Sequence, residues 1–494
     1  MKILFVLPDT NYVEEYMPDY TGSFHLGFGY LSAVLKKNGH ECFLIHIKNE
    51  FELKNIGERA KKYNPDLIAY TAFTHQFYLI RKASEEIKKI LKKPSICGGV
   101  HATVDPEEVI KEPGIDIVCI GEGEGPILEL VEKIKNKKSI NKIKSLWIKS
   151  GKKIIKNPVA PLAQDLDSIP FPDRELFEFE KLSDFKLGVL NVIATRGCPF
   201  QCTYCINHQL QKIYAGKGKY VRFRNVNEVI REIKEVYKKY PSLKYVELLD
   251  DTFCIDKDWV KEFTKKYGKE INIPFRANTH LSLLDNDKIK WLKDAGCERI
   301  AVGIESGNPK IRSKILNRHI DNKEIVEKIK MCKKVGLEVT TYNMVGLPFE
   351  TIKNVLETVK LNAESGSTEM HVSIFQPYPN TELYNICKKN NLIKNKDVKT
   401  FFSGTVVRQK SISETEVNFA YKYFGIFARL YSLFGFYPIN KILDKIFLSK
   451  SLHPVLVKIH PFIFILVFPM KGTYRALLKR FPKTMRKLKS KLIR

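Results

Sequence analysis

The chain has 494 residues, too many for one core, which rarely grows past about 250 to 300. Its 44% apolar and 28% charged residues exclude wholesale disorder, and no stretch approaches the ~20 uninterrupted apolar residues of a spanning helix. The 83 Lys plus Arg against 55 Asp plus Glu leave +28, which favours an anionic partner such as nucleic acid or a lipid surface without bearing on fold. Much of that surplus is Lys on helical stretches such as Lys88, Lys89, Lys92 and Lys93, as solvated helix faces require. The opening MKILFVLPDT lacks the charged start, long apolar run and cleavage site of a secretory signal. The ten Cys are therefore read as reduced thiols of a cytoplasmic protein, where a cluster means metal or catalysis rather than disulfides.

Residues 1–135 alternate short β-branched runs (Ile3 to Leu7, Glu41 to Ile47, Leu67 to Thr71, Ser95 to Cys97, Ile115 to Ile120) with helical patterns near 28–38, 52–63, 77–93 and 126–135. Apolar strands covered on both faces predict a five-stranded, doubly wound parallel sheet. Such a sheet binds ligands just past its strands. Those positions hold Thr71 and Thr74, then Gly98-Gly99-Val100-His101-Ala102-Thr103, then Gly121-Glu122-Gly123-Glu124-Gly125. Residues 136–188 are Lys-rich and then carry Pro158, Pro161, Pro170 and Pro172, which reads as a linker.

Six βα units follow over 189–390, with strand-like runs at 190–194, 245–249, 274–278, 299–304, 338–345 and 370–375. They predict a full or partial barrel with its chemistry at the carboxyl strand ends. Just past the first of these strands stands Cys198-Pro-Phe-Gln-Cys202-Thr-Tyr-Cys205. Three thiolates in eight residues can grip an iron–sulfur cluster from one loop and leave one iron open. His208 extends the run to C-x3-C-x2-C-x2-H, so a closed Cys3His zinc site is the alternative.

C-x3-C-x2-C with an aromatic, Tyr204, before the last Cys resembles the radical S-adenosylmethionine superfamily. The resemblance covers residues 190 to about 390 and implies a (β/α)6 partial TIM barrel. It also implies a 4Fe-4S cluster on Cys198, Cys202 and Cys205, whose open iron chelates S-adenosylmethionine before reductive cleavage to a 5′-deoxyadenosyl radical. Leu249-Asp250-Asp251-Thr252-Phe253 stands where the family holds the methionyl ammonium group. Gly303-Ile304-Glu305-Ser306-Gly307 stands at its ribose and carboxylate contact. Asn343 to Pro348 lies where members pack backbone near the adenine, Pro377-Tyr378-Pro379-Asn380-Thr381 resembles the closing turn, and Arg276 and Asn278 are weaker strand-end candidates.

A doubly wound sheet ahead of such a barrel resembles the cobalamin-binding branch of that superfamily. By that resemblance the loops at Thr71 and Thr74, at Gly98, Gly99, His101 and Thr103, and at Gly121, Glu122, Gly123 and Glu124 surround the corrin and its nucleotide tail. Gly permits close backbone approach, while Thr and Glu can bond the amide-bearing rim. The D-x-H-x-x-G motif of many cobalamin domains is absent. Its nearest match, His25, has Ser23 in place of Asp and Phe28 in place of Gly, so no protein imidazole is expected below the cobalt.

Residues 391–494 form a helical, aromatic-rich and basic segment. Residues 419–438 hold nine aromatics, and Lys471 to Arg494 hold ten Lys or Arg and no acid. With Phe462, Phe464 and Phe468, that tail suits reversible contact with the inner face of a membrane; the alternative is a helical cap on the barrel. The resemblance implies a cobalamin-dependent C-methyltransferase acting on an unactivated carbon, supplied with electrons by a reductant such as flavodoxin or ferredoxin. A small-molecule substrate is expected, and the aromatic C-terminus suggests a lipid- or isoprenoid-like one. Alternatives are radical cyclisation or ring rearrangement, tRNA methylthiolation, and a zinc-stabilised nucleic-acid-binding protein. For methylthiolation the second Cys trio is missing, since Cys42, Cys97 and Cys119 lie on separate strands, and nucleic acid is not the expected partner.

Overall fold

The computed structural model describes residues 1–9, 20–48, 50–394, 404–434 and 438–467. Its strands in chain order are β1 (Lys2–Pro8), β2 (Glu41–Ile47), β3 (Leu67–Thr71), β4 (Ser95–Gly98), β5 (Ile117–Cys119), β6 (Leu146–Ser150), β7 (Lys153–Lys156), β8 (Val189–Val192), β9 (Thr195–Arg196), β10 (Arg222–Phe223), β11 (Tyr245–Leu248), β12 (Phe275–Thr279), β13 (Cys297–Glu305), β14 (Glu338–Val345) and β15 (Glu369–Ile374).

The first sheet has the order β2-β1-β3-β4-β5-β6-β7. Strands β1 to β5 are parallel, as their apolar runs predict, with Leu4, Val6, Ile68 and Tyr70 buried on one face and Ile3, Phe5, Leu67 and Ala69 on the other. The expected linker is corrected at its start: β6 and β7 extend the sheet antiparallel. A two-residue turn with Gly151 at φ 61° joins them. Lys153 and Lys156 on the outer strand, with the Lys156 ammonium 4.3 Å over the Trp147 ring, look like linker composition because Lys is how a sheet edge is kept from pairing further. The Gly98 to Thr103 stretch is also not an open loop, since Gly99–Val104 is a helical turn.

The second sheet, β15-β14-β13-β12-β11-β8, is parallel throughout. Helices Val226–Lys239, Lys257–Glu270, Asn286–Asp294, Asn322–Lys334 and Ile352–Ser365 cover its outer face. Asn225, Asp256, Asp285, Asp321 and Thr351 cap their N-termini through side-chain oxygens, the residues that free N–H groups favour there.

The C-terminal segment is helical as expected, with Glu414–Phe434, Ile439–Leu448 and His453–Val467. Phe419, Tyr423, Phe424, Phe427 and Tyr431 recur on one helix face and are buried with Val355, Leu356 and Val359 of helix Ile352–Ser365. These aromatics therefore cap the barrel. The tail Lys471 to Arg494 and Phe468 lie outside the described residues, as do the side chains of Phe462 and Phe464. No helix among the described residues is long and apolar enough to cross a membrane.

Candidate functional site

Both sheets direct their carboxyl ends at one interdomain cavity of about 390 Å³. Thr71, Gly98, Gly99, Thr103 and the 121–124 loop line it from the first sheet, and Thr195, Arg196, Asn207, Tyr214 and Asp251 from the barrel. Leu26, Leu31, Ile96, Ile127 and Leu162 supply apolar wall. The backbone is approached closely here. A Cβ on Gly99, at φ 89°, would stand 2.4 Å from Thr71 Oγ1, and one on Gly121, at φ 83°, would stand 1.8 Å from the Tyr214 hydroxyl oxygen. Only glycine fits either position without strain. The Thr103 hydroxyl donates to the Gly99 carbonyl at 2.8 Å and accepts the Gly121 N–H at 3.0 Å, joining the two glycine loops.

Glu122 and Glu124 line the cavity but are engaged by the barrel. Arg222 reaches Glu122 at 2.8 and 3.0 Å, and Arg196 reaches Glu122 at 3.2 Å and Glu124 at 2.7 Å. Burial works against the Glu122 charge, yet Arg222 and Arg196 outweigh it and hold the carboxyl below its ordinary value. The Tyr214 hydroxyl accepts the Glu122 N–H at 2.7 Å, and Asn380 of the closing turn donates to the Val104 carbonyl at 2.6 Å. The acidic loop is thus an interdomain latch as well as a cavity wall.

Two expected cavity residues lie elsewhere. The His101 ring is buried 4.4 Å from the Phe77 ring, with Nδ1 3.3 Å from Thr74 Oγ1 and Nε2 3.2 Å from Glu108. His101 and Thr74 therefore bond to each other away from the cavity, because the helical turn from Gly99 rotates His101 into the core. His25 does line the cavity. Its Nδ1 accepts the Phe28 N–H at 3.0 Å as a helix cap, and burial lowers its pKa to about 4.

In the cysteine loop, Cys198 and Cys202 are buried and Cys205 is half-buried. The Arg318 guanidinium donates to Cys202 Sγ at 3.7 Å and to the Gly303 carbonyl at 2.7 Å. Phe200 of the same loop stacks on His280, at the end of β12, with centroids 3.9 Å apart. Burial pushes the Cys205 thiol up to about 12, and an iron ion would offset that by stabilising the thiolate. Among the described residues no three His, Cys, Asp or Glu converge on a single-ion site, and His208 Nδ1 lies 3.3 Å from Glu382. Three thiols on one loop beside a guanidinium fit the separate iron corners of a cluster better than a closed zinc tetrahedron.

The two aspartates after β11 divide. Asp250 is buried and accepts the N–H groups of Ala194 and Thr195, and burial lifts its carboxyl to about 6 despite them. It anchors the approach to the cysteine loop and does not line the cavity. Asp251 opens into the cavity, its carboxyl raised by burial against hydrogen bonds from Asn207 and Gly197. At the end of β13, Glu305 takes φ 64° at a register shift, a left-handed conformation that is uncommon for a non-glycine residue. It accepts the Tyr204 hydroxyl at 3.1 Å, and burial raises its carboxyl while Arg318 opposes. Ser306 is fully buried, and its hydroxyl accepts the Asn308 N–H at 3.3 Å, closing the turn. Arg196, Arg222, Tyr214 and Arg318 were not marked by sequence. Arg196, two residues before Cys198, carried a readable hint, whereas Arg318 sits in no motif and reaches Cys202 only through the fold.

Glycine loops around an apolar cavity fit a large planar cofactor, and the thiol loop fits a cluster. Two family models match the chain: the Radical SAM superfamily over residues 192–361 and the B12 binding domain over residues 23–131. An uncharacterised methyltransferase of Pyrococcus horikoshii is 30% identical, with 80% of this chain aligned to 84% of that one. The anaerobic magnesium-protoporphyrin IX monomethyl ester cyclase of Cereibacter sphaeroides is 26% identical over 78% of this chain and 63% of its own length. Among solved structures, the radical S-adenosylmethionine methyltransferase TsrM of Kitasatospora setae, with cobalamin and a [4Fe-4S] cluster bound, superposes with a TM-score of 0.64 at 15% identity, covering 80% of this chain and 76% of that one. It shares the fold.

Proposed function

Because the chain belongs to the cobalamin-binding radical S-adenosylmethionine enzymes, we propose that it transfers a methyl group to an unactivated carbon of a small molecule. Its cofactors are a 4Fe-4S cluster, S-adenosylmethionine and cobalamin. When bound, these groups supply a hydrogen-abstracting radical and a transferable methyl group.

The residues divide the remaining work. Cys198, Cys202 and Cys205 hold the cluster, with Arg318 donating to Cys202. Asp251, directed into the cavity, offers a carboxylate to a cationic group of S-adenosylmethionine. Glu305, fixed by Tyr204 and Arg318, offers a second acceptor at the next strand end. The glycine loops and Thr103 hold the corrin edge, and the aliphatic wall keeps water from it. The observation that carries the reading is that glycine loops and the approach to the cysteine loop border a single cavity, so radical source and methyl carrier share one space.

Cyclisation is the second reading, favoured by the cyclase relative. Anaerobic protein is to be assayed for iron, sulfide and cobalamin, then for 5′-deoxyadenosine and S-adenosylhomocysteine together. Both products support methyl transfer, whereas 5′-deoxyadenosine alone supports cyclisation or another radical outcome. The lipid-like substrate loses part of its motive, since Phe419, Tyr423, Phe424, Phe427 and Tyr431 pack inside. Membrane contact keeps one support, exposed Ile442, Val455 and Ile459 with Lys441, Lys445 and Lys458 on the last helices. Flotation with anionic vesicles tests it.

A further inference from the structure

We infer that Glu247 is a specificity-determining residue of the barrel lumen, selecting a polar small molecule whose ammonium or N–H group faces it, with Asn278 and Tyr342 as further hydrogen-bonding contacts. The inference deepens the methyl-transfer reading and rests on it.

Strand parity defines the lumen. Val246, Leu248, Ala277, Ile300, Val302 and Val339 belong to the core beneath the helices, so the alternate residues of the same strands face inward. Glu247, Arg276, Arg299 and Glu338 stand in register across four strands and form a floor. Both arginines there are satisfied. Arg276 pairs with Glu298 and lies 3.7 Å over the Tyr245 ring, and Arg299 pairs with Glu338 at 3.0 Å and Glu369 at 2.7 Å.

Glu247 is different. Among the described residues its carboxylate has no hydrogen bond and no ion pair within 4.0 Å, although burial raises its pKa against the pull of Arg276 and Arg299. Arg276 is taken by Glu298 and Arg299 by Glu338 and Glu369, and Arg429 of the capping helix also lies near Glu369, so Glu247 is left without an ion-pair partner among the described residues. The Asn278 side chain and the Tyr342 hydroxyl likewise have no hydrogen-bond partner among the described residues.

Part of the space above the floor is open: Ala301 presents little bulk there, and Tyr342 points inward yet is 43% exposed, with its ring 5.7 Å from that of His371, whereas Glu305 and Arg318 close over Gly303 and Thr340 is buried. Leu249, inward at the end of β11 and 40% exposed, also lines the interdomain cavity. A molecule on the floor therefore reaches toward the cofactors. An isoprenoid chain in this space would strip water from Glu247, Asn278 and Tyr342 without replacing its hydrogen bonds, the arrangement by which a polar site rejects an apolar competitor.

The test uses the anaerobically reconstituted holoenzyme and four probes, 2-phenylethylamine, 2-phenylethanol, phenylacetate and farnesol, with binding measured by saturation-transfer NMR and titration. The amine is expected to bind about tenfold or more tightly than phenylacetate or farnesol, as one hydrogen bond to a charged group allows. Glu247→Gln is expected to remove that preference, and Tyr342→Phe to weaken amine and alcohol a few-fold, with circular dichroism and cobalamin content reporting that each variant is folded. Farnesol binding as tightly as the amine, or amine binding unchanged in both folded variants, overturns the inference. Formation of 5′-deoxyadenosine by the wild-type holoenzyme is measured separately. Its absence sinks the methyl-transfer reading while amine selectivity stands or falls by the probes.

Discussion

The two parallel sheets meet at one cavity but offer it different chemistry. The first is packed by helices and hydrophobic core on both faces, so it can present only its strand ends, where the backbone of Gly98, Gly99, Gly121 and Gly123, tied by Thr103, stands beside apolar side chains and the arginine-bound Glu122 and Glu124. The second is covered on its outer face alone, which frees an inner face of charged and hydrogen-bonding side chains as well as the strand ends that hold the cysteine loop. A flat ligand needs close approach and few directional contacts. A reacting small molecule needs side chains at defined positions, and only an open barrel supplies them.

The sharpest way to break this division of labour is at the cysteine loop. Cys202→Ala should abolish the cluster's visible absorption and EPR signal and lower 5′-deoxyadenosine formation on the order of 10³-fold or more, while the first sheet still binds cobalamin. The reciprocal change is Gly99→Val, which forces a side chain at φ 89° toward Thr71 Oγ1. It should weaken cobalamin binding about 10- to 100-fold, as overpacking implies, and leave cluster content intact by iron and sulfide analysis. If both cofactors fall together in either variant, the two sheets do not act separately.

The latch between the sheets comes next. Arg222→Met strips Glu122 of its closest partner and should cost roughly 1 to 2 kcal/mol, below the range for a fully buried pair because Glu122 is partly exposed. Differential scanning calorimetry should show the two domains unfolding less cooperatively and cobalamin retention falling about tenfold. The smallest effect lies in the barrel. Glu350 is fully buried and accepts the N–H groups of Gly346 at 2.7 Å and Leu347 at 3.1 Å, yet burial lifts its pKa from 4.5 to about 8. A raised native pKa means its contribution to stability is complete below about pH 4.5 and is lost as the pH climbs through 8. Relative to Glu350→Gln, the wild type should lose on the order of 1 kcal/mol between pH 5 and 6; thermal unfolding of both across that range measures the difference.

Sequence alone determined the parallel cores, the cysteine triad and the glycine loops, because strand alternation, metal-ligand spacing and left-handed turns are each written within a few adjacent residues. It read residues 136–188 as linker because composition does not distinguish a protected edge strand from a solvated connection, and it could not show that His101, Thr74, Asp250 and Ser306 turn away from the cavity, because a motif names positions but not the direction in which a side chain turns. Only the tertiary structure decided that Arg196 and Arg222 lock Glu122, that Arg318 reaches Cys202 from 116 residues away, and that Glu247 is left without a partner in an open lumen. Those facts depend on which strands stand side by side and in what register, and that is settled by the packing of the whole chain.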